Sequence, residues 1–466
     1  MVNDTVIRNF FYTSTPEHEG VLFHIPSGRF FRVFDEKCKS DFRQIFEIGS
    51  LSHKIDSGKG VCSGSCENCD NQIKSANEFT VRKLALVLTS SCNMRCRYCY
   101  ANYGMYDYEK AADMNAEKLE SVLSYFTKNF KGIGAIQFFG GEPTLKEDLI
   151  YQTVDYFERM VQSGEIKTMP VFGIVTNGVY MPDKLVDYFK KYSFFVTVSL
   201  DGPILVNDTL RIDCSGHGKY KSIWANIAKI QNAGINGLSF ECTYTAEHIR
   251  NSISLVDLIK FFDKEFNNPV VHIAPVNIDN NHYLSLVPYK DKYNQYMEEL
   301  VDYTFDMLLE EKKMCSTNIV LGVITRIISQ ASQKAICPAG VNTFSVSHDN
   351  KISPCFMYTS KDDISYGNIG DDPDEILSRA YTFDEYINNK DKVDECQECF
   401  ARNVCSSCLG SFEIKSDKVQ ISNPIYCESI KVATKRALQR LSDIKKNPKT
   451  WEEFNRFLDK GYEERR

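Results

Sequence analysis

The stretch VRKLALVLTSSCNMRCRYC, residues 81–99, joins an apolar run to a loop that carries three cysteines. Residues 84–88 are continuously apolar, which is typical of a strand buried on both faces. Cys92, Cys96 and Cys99 follow at its carboxyl end, where α/β folds place their ligands. Three thiolates suit a four-iron cluster that keeps one iron open, because the fourth protein ligand is then absent.

Five further runs of strand composition follow this loop, and helical segments separate them. The strand runs are 134–143, 171–178, 194–203, 237–245 and 270–276. Helical spacing of apolar residues, at i, i+3, i+4 and i+7, occurs over 116–130, 148–162 and 182–192. Six strands that alternate with helices predict a parallel sheet with right-handed crossovers.

The C-x3-C-x2-C spacing of Cys92, Cys96 and Cys99, with Tyr98 before the last cysteine, resembles the signature of radical S-adenosylmethionine (SAM) enzymes. The resemblance implies an α/β fold, a partial (β/α)6 TIM barrel, over residues 81–310. It also implies that the three catalytic cysteines hold a [4Fe-4S] cluster, which cleaves SAM to a 5′-deoxyadenosyl radical.

The same resemblance implies a set of SAM-binding residues at the ends of the predicted strands. The GGE segment would receive the methionyl amine, because glycines let the backbone approach closely and the acid complements the charge. Arg211 offers a planar fork to the SAM carboxylate. The full set is Tyr98, Gly140, Gly141, Glu142, Thr176, Asn177, Ser199, Asp201 and Arg211.

A second group of cysteines lies near the carboxyl terminus and resembles the SPASM extension of radical SAM enzymes, here over residues 311–440. The resemblance implies two auxiliary [4Fe-4S] clusters, and therefore three in the chain. The outer cluster would use Cys396, Cys399, Cys405 and Cys427, and the inner one Cys337, Cys355 and Cys408. Cys405 and Cys408 are separated by two residues, where the family pattern has three.

The inner set has three cysteines, so its fourth ligand is open unless Cys315 or another residue supplies it. An open iron could bind a substrate thiolate, lower its pKa and accept an electron, as thioether formation requires. The alternative is a fully ligated cluster that only relays electrons. The chain would end in a helical tail over residues 441–466.

The first eighty residues contain two β-like runs, 21–25 and 30–34, joined by Pro26-Ser27-Gly28-Arg29, a composition typical of a turn. Asp35 then begins a predicted helix. This layout resembles the winged-helix-like element, residues 1–80, with which ribosomal-peptide (RiPP) maturases recognise a precursor. A leader peptide would add a strand to the hairpin edge. A purely structural extension is the alternative.

The chain has 466 residues and 17 cysteines. It shows no secretory signal and no apolar stretch long enough for a membrane span, so we expect a cytoplasmic protein, no membrane partner, and cysteines that stay reduced. The net charge of −7 argues against a nucleic-acid partner. Ten thiolates committed to iron–sulfur chemistry predict an anaerobic setting.

The other seven cysteines have no family role. Cys62, Cys66 and Cys69 repeat the C-x3-C-x2-C spacing in a Gly-, Ser- and Asp-rich segment with no preceding strand. A small zinc or iron–sulfur site and reduced loop cysteines both remain open for them. The isolated cysteines are interpreted as buried packing residues; they are Cys38, Cys214, Cys242 and Cys315.

The resemblance predicts a radical SAM oxidoreductase that modifies a peptide. Such a maturase would take hydrogen from a ribosomal precursor peptide with a leader and install a thioether or carbon–carbon crosslink, with flavodoxin or ferredoxin as reductant. One alternative is an anaerobic sulfatase-maturase-like enzyme that oxidises Cys or Ser to formylglycine. Another is a zinc-binding module without enzymatic activity.

Overall fold

The structure is a computed structural model. It describes residues 4–7, 9–14, 20–33, 75–315, 317–330, 332–415 and 418–464. The predicted helix after Asp35 and the cysteines Cys38, Cys62, Cys66 and Cys69 lie outside these residues.

An antiparallel sheet of four strands forms the described part of the amino-terminal region. Its strands, in spatial order, are β1 (Thr5–Ile7), β2 (Phe10–Thr13), β3 (Gly20–His24) and β4 (Arg29–Val33). The predicted hairpin is confirmed as β3 and β4, and its turn uses Gly28 at φ 65°, a conformation that favours glycine. Strands β1 and β2 were not predicted.

The amino-terminal sheet packs against the carboxyl-terminal region. The rings of Phe11 and Phe400 stack with centroids 3.9 Å apart. The Asn403 amide donates to the carbonyl of Ile25 at 2.5 Å. Both contacts reach the segment between Cys399 and Cys405, so this sheet supports the loop that carries those cysteines.

Six parallel strands form the centre of the molecule and confirm the predicted partial barrel. They lie in chain order, each beside the next. They are β5 (Thr80–Val87), β6 (Gly132–Phe139), β7 (Val171–Thr176), β8 (Phe195–Ser199), β9 (Leu238–Tyr244) and β10 (Val270–Pro275). Residues 84–88 are at most 3% exposed, as expected for a strand covered on both faces.

Helices follow the barrel strands and bury their apolar faces against the sheet, and the three predicted helical segments are confirmed within one residue at either end. The helices of the barrel region are α1 (Ala116–Asn129), α2 (Glu147–Gln162), α3 (Asp183–Lys191), α4 (Ile204–Leu210), α5 (Tyr220–Asn232), α6 (Ala246–Arg250), α7 (Leu255–Phe266) and α8 (Lys290–Leu309). The Asn115 side chain accepts a hydrogen bond from the Lys118 amide and so fixes the start of α1.

The carboxyl-terminal region extends the barrel sheet, which we did not predict. β11 (Thr343–Val346) pairs in parallel with β5, and β12 (Lys351–Ser353) and β13 (Gly367–Asn368) continue the sheet antiparallel. A separate hairpin consists of β14 (Phe412–Lys415) and β15 (Lys418–Ile421). Because β11 is hydrogen-bonded to β5, Cys355, which lies between β12 and β13, is tied to the barrel sheet.

Five further helices complete the described chain. They are α9 (Asn318–Ser329), α10 (Pro373–Tyr386), α11 (Asp394–Gln397), α12 (Pro424–Ile444) and α13 (Pro448–Glu464). Helix α12 continues through position 440, where a domain boundary was predicted; the boundaries remain predictions. Among the described residues, no helix combines the length and apolarity that crossing a membrane demands.

Candidate active site

The cysteine loop and the loop after β6 fit closely together because Gly140 and Gly141 have no side chains. Gly140 has φ 147°, and a Cβ there would lie 2.6 Å from the carbonyl oxygen of Thr89. The amides of Gly141 and Glu142 donate to the carbonyls of Thr89 and Ser91, at 2.8 and 2.9 Å. Any larger residue would push the two loops apart.

A cavity of about 320 Å³ opens between these loops at the carboxyl ends of the barrel strands. It brings together nearly all the predicted residues from the barrel. Those that line it are Cys92, Cys96, Cys99, Tyr98, Gly140, Gly141, Glu142, Thr176, Asn177, Ser199 and Arg211. Asp201 does not line it; this side chain is fully buried behind Tyr98.

The three thiols of the cysteine loop lie in an environment that suits metal-bound sulfur. The amides of Met94 and Tyr103 donate to the Sγ atoms of Cys92 and Cys99, at 3.3 and 3.1 Å. Burial raises the pKa of the Cys92 thiol to about 12, with the charge of Glu142 adding to the effect. A metal must therefore supply the positive charge that keeps this sulfur as thiolate at neutral pH.

Glu142 joins the loops that follow β6 and β7. Its carboxylate accepts hydrogen bonds from the amide and hydroxyl of Thr144, the hydroxyl of Thr176 and the amide of Asn177, at 2.6 to 3.1 Å. Burial raises the pKa of this carboxyl group, and the four hydrogen bonds oppose that shift. Glu142 thus has a structural role in the site in addition to its negative charge.

Tyr98, Asp201 and Arg211 form a chain of hydrogen bonds below the cavity. The Tyr98 hydroxyl donates to Asp201 at 2.6 Å and accepts from Nη1 of Arg211 at 2.8 Å. Arg211 is 5% exposed, and its buried Nε finds no hydrogen-bond partner among the described residues. A buried guanidinium with a donor to spare fits an anionic ligand such as the SAM carboxylate.

One of the inner cysteines, Cys408, lines the same cavity as the cysteine loop of the barrel. Burial raises the pKa of its thiol to about 11, and the nearby charge of Cys337 adds to this. Cys355 has a pKa of about 12 because of burial, with further contributions from Cys408 and Cys337. The three predicted inner cysteines therefore lie close together.

No cysteine supplies a fourth ligand to this group among the described residues. Cys315 is fully buried, and its charge acts on Tyr303 of helix α8. Another sulfur-containing side chain, that of Met357, lies beside this group, with its Sδ 3.9 Å from the Sγ of Cys408. Met357 lines the cavity beside Cys408, whereas Cys337 and Cys355 do not line it.

The four predicted outer cysteines line a second, smaller cavity together: Cys396, Cys399, Cys405 and Cys427. Lys390 lines it as well and is 2% exposed. Its Nζ donates to the carbonyls of Gln333, Arg402 and Cys405, at 2.9, 2.8 and 2.6 Å. Lys390 thereby fixes the loop on which Cys405 sits.

We expect Lys390→Met to lower the free energy of unfolding of the metal-free chain by about 3 kcal/mol or more. It leaves three partly buried carbonyls without the lysine donor, at roughly 1–3 kcal/mol for each one that stays unsatisfied. Thermal and denaturant unfolding against Lys392→Met, a change at an exposed neighbour, measure the difference. Equal stability of the two variants would contradict this role of Lys390.

Among the residues that the structure describes, no three His, Cys, Asp or Glu side chains converge closely enough to hold one metal ion. The ligands of a four-iron cluster bind separate iron atoms and so lie farther apart than those of a tetrahedral zinc. The described cysteines form no disulfide with one another.

The isolated cysteines that the structure describes differ in burial. Cys242 and Cys315 are fully buried, as expected, but Cys214 is exposed, so its interpretation as a packing residue was wrong. It lies in the loop after α4, where residues 214–217 are all exposed. Two polar residues that line the cavity, Glu241 and His272, were not predicted. Their alternation with buried residues along β9 and β10 was the available signal.

Comparisons with known proteins agree with this geometry. Residues 86–248 match the Radical SAM superfamily. The chain is 24% identical over 376 residues to a cysteine-type anaerobic sulfatase-maturating enzyme of Clostridium perfringens, covering 78% of this chain and 97% of that protein. It is 23% identical over 412 residues to the radical SAM cyclopropyl synthase TigE of Paramaledivibacter caminithermalis, covering 80% and 77%.

Among solved structures, native anSMEcpe with bound AdoMet superposes with a TM-score of 0.65 at 21% identity and covers 78% of this chain and 99% of that one. At this identity the likeness shows the fold alone. SAM and a [4Fe-4S] cluster are the cofactors that the superfamily implies, and the cavity has the thiols, glycines and unpartnered guanidinium donor to receive them. Residues 86–248 therefore form a radical SAM domain, and the chain is an enzyme.

Proposed function

We propose that this chain is a peptide maturase that takes hydrogen from a cysteine-containing ribosomal precursor and installs a thioether or carbon–carbon crosslink. One observation carries the proposal. A single cavity is lined by the barrel cysteines, by the SAM-binding candidates and by Cys408 of the inner group. A substrate in that cavity can contact both the site of hydrogen removal and a second iron–sulfur centre.

Within this proposal, Cys92, Cys96 and Cys99 bind the first cluster. When bound, the cluster and SAM supply a 5′-deoxyadenosyl radical. Gly140, Gly141 and Glu142 receive the methionyl amine, and Arg211 binds the carboxylate. Thr176, Asn177 and Ser199 complete the wall, while Asp201 orients Tyr98 and Arg211 from behind.

Two auxiliary [4Fe-4S] clusters would occupy the carboxyl-terminal region. The outer site offers four thiols around one cavity and a buried lysine beside them. The inner site offers three thiols, those of Cys337, Cys355 and Cys408, so a cluster bound there would have one iron without a protein thiolate, and Cys408 lines the cavity. A substrate thiolate on that iron would be held beside the SAM-binding wall. Flavodoxin or ferredoxin would serve as reductant, in the cytoplasm.

The peptide substrate is supported by a relative and by the amino-terminal sheet. A structure of anSMEcpe with AdoMet and the Cp18Cys peptide superposes with a TM-score of 0.63. In this chain β4 pairs with β3 on one side, and the described residues place no strand on its other side. A leader peptide could pair with that edge, and Phe31 there is 50% exposed.

A second candidate is oxidation of a cysteine to formylglycine, and the similarity to cysteine-type sulfatase-maturating enzymes favours it. Both candidates remove hydrogen from a cysteine-containing peptide, so they share the use of SAM. They differ in the product: a crosslink keeps the sulfur, whereas formylglycine replaces it by oxygen.

The product of an anaerobic reaction with a short peptide encoded beside this chain decides between them. We expect the peptide to lose two hydrogens and to keep all its sulfur, with the crosslink located by tandem mass spectrometry. Removal of the leader should weaken peptide binding to the full-length enzyme. A product that has lost sulfur would favour formylglycine, and an unmodified peptide with intact SAM would contradict both candidates.

A further inference from the structure

The described cavity contains two acidic side chains, and only one of them is committed to the fold. Glu142 accepts four hydrogen bonds. Glu241 lines the same cavity, and among the described residues its carboxylate forms neither a hydrogen bond nor an ion pair. A carboxylate whose lone pairs are all available can accept a proton from a bound substrate.

The position of Glu241 follows from the alternation of strand β9. Phe240, Cys242 and Tyr244 are at most 1% exposed; the ring of Phe240 contacts Phe262 and Phe266 of α7, and that of Tyr244 contacts Tyr293 of α8. Glu241 and Thr243 therefore point to the barrel interior, and both line the cavity. The packing of the sheet therefore does not explain why position 241 carries an acid.

The neighbouring strand places a second titratable group at the same level. His272 on β10 is the register partner of Glu241, and partners in a parallel sheet project from the same face. His272 lines the cavity and is exposed. An exposed imidazole beside the acid offers a way for a proton to pass from the cavity to solvent.

The chemistry of the proposed function requires such an acceptor. In thioether formation, one C–H and one S–H bond of the peptide break and a C–S bond forms. The 5′-deoxyadenosyl radical from SAM would take the hydrogen atom, a bound auxiliary iron–sulfur centre would accept the electron, and one proton would remain for a protein group to remove. A carbon–carbon crosslink or oxidation to formylglycine also releases one proton at this stage.

We propose that Glu241 is the general base that takes this proton from the substrate, with His272 as the next acceptor. The inference rests on the proposed function and adds a residue to it. Glu142 cannot take the role, because protonation would break its hydrogen bonds to the loops that form the site. The thiols of the cavity are the groups reserved for iron.

The test compares Glu241→Gln and Glu241→Asp with Glu265→Gln, an exposed acid on α7 that does not line the cavity. Each variant is assayed as the reconstituted holoenzyme for iron content, binding of SAM and of precursor peptide, 5′-deoxyadenosine and modified peptide. We expect Glu241→Gln to keep iron, binding and 5′-deoxyadenosine formation while modified peptide falls about 100-fold. Glu241→Asp should recover part of the loss, and Glu265→Gln should resemble the wild type.

Three results would overturn the assignment. They are modified peptide at the wild-type rate in Glu241→Gln, loss of SAM or peptide binding, which would make Glu241 a binding residue, and loss of iron in both Glu241 variants, which would make it structural. Failure of the proposed function looks different: the wild-type enzyme itself would then leave the peptide unmodified.

Discussion

An enzyme in which Cys92, Cys96 and Cys99 are all replaced by alanine is expected to form no 5′-deoxyadenosine above background. The three thiols are the protein ligands proposed for the first cluster, and they line the cavity with the SAM-binding candidates. Without them no iron remains to which SAM can bind. Iron should fall from about twelve to about eight atoms per chain, because the seven carboxyl-terminal cysteines are unchanged.

The matched control for this variant is Cys214→Ala. Cys214 is also a cysteine of the barrel region, but its side chain is exposed and lies outside the cavity. We expect it to retain wild-type iron and wild-type SAM cleavage. Persistent 5′-deoxyadenosine formation by the triple variant would refute the assignment of the three cysteines. A wild-type preparation rich in zinc and poor in iron would favour the zinc-binding alternative.

Replacing Arg211 by alanine is expected to weaken SAM binding by at least about 30-fold. Removing one partner of a buried, hydrogen-bonded charge pair costs about 2 kcal/mol or more, and each 1.4 kcal/mol is tenfold in Kd. Among the described residues the buried Nε of Arg211 has no hydrogen-bond partner, and the ligand carboxylate would supply one. Equilibrium titration of the reconstituted, reductant-free enzyme with SAM measures the change.

Two variants serve as controls. One keeps the positive charge at position 211, and the other removes a different arginine, within the cysteine motif. Arg211→Lys keeps the charge that faces Asp201 and loses the planar fork, so its affinity should lie between those of wild type and Arg211→Ala. Arg97→Ala removes an exposed guanidinium that contacts the carbonyl of Thr209 outside the cavity, and it should bind SAM normally. Unchanged SAM affinity in Arg211→Ala would show that the carboxylate binds elsewhere.

Strong local patterns made the barrel predictable from the sequence. Residues 84–88 are apolar at every position because both faces of β5 are covered, and the helices repeat their apolar residues with helical spacing. The adjacent glycines Gly140 and Gly141 were a second local signal in the sequence. Only glycine fits where the carbonyls of Thr89 and Ser91 come so close.

Features that depend on contacts between distant residues were not predictable. Strands β11 to β13 contain two to four residues each, too few for a period to emerge, and they exist because β5 offers a free edge. Cys408 lies shortly before β14, far along the chain from the barrel strands, yet it lines the barrel cavity. Glu241 and His272 belong to no motif, and only the register of β9 against β10 brings them to one level.

The most direct test of the central claim is an anaerobic reaction of the reconstituted enzyme with SAM, reductant and a precursor peptide deuterated at the carbon to be modified. The account predicts that deuterium moves from the peptide into 5′-deoxyadenosine while the peptide becomes modified. Mass spectrometry of both products reads the transfer. Modified peptide formed alongside 5′-deoxyadenosine that carries no deuterium would contradict the account, since hydrogen would then leave the substrate by another route.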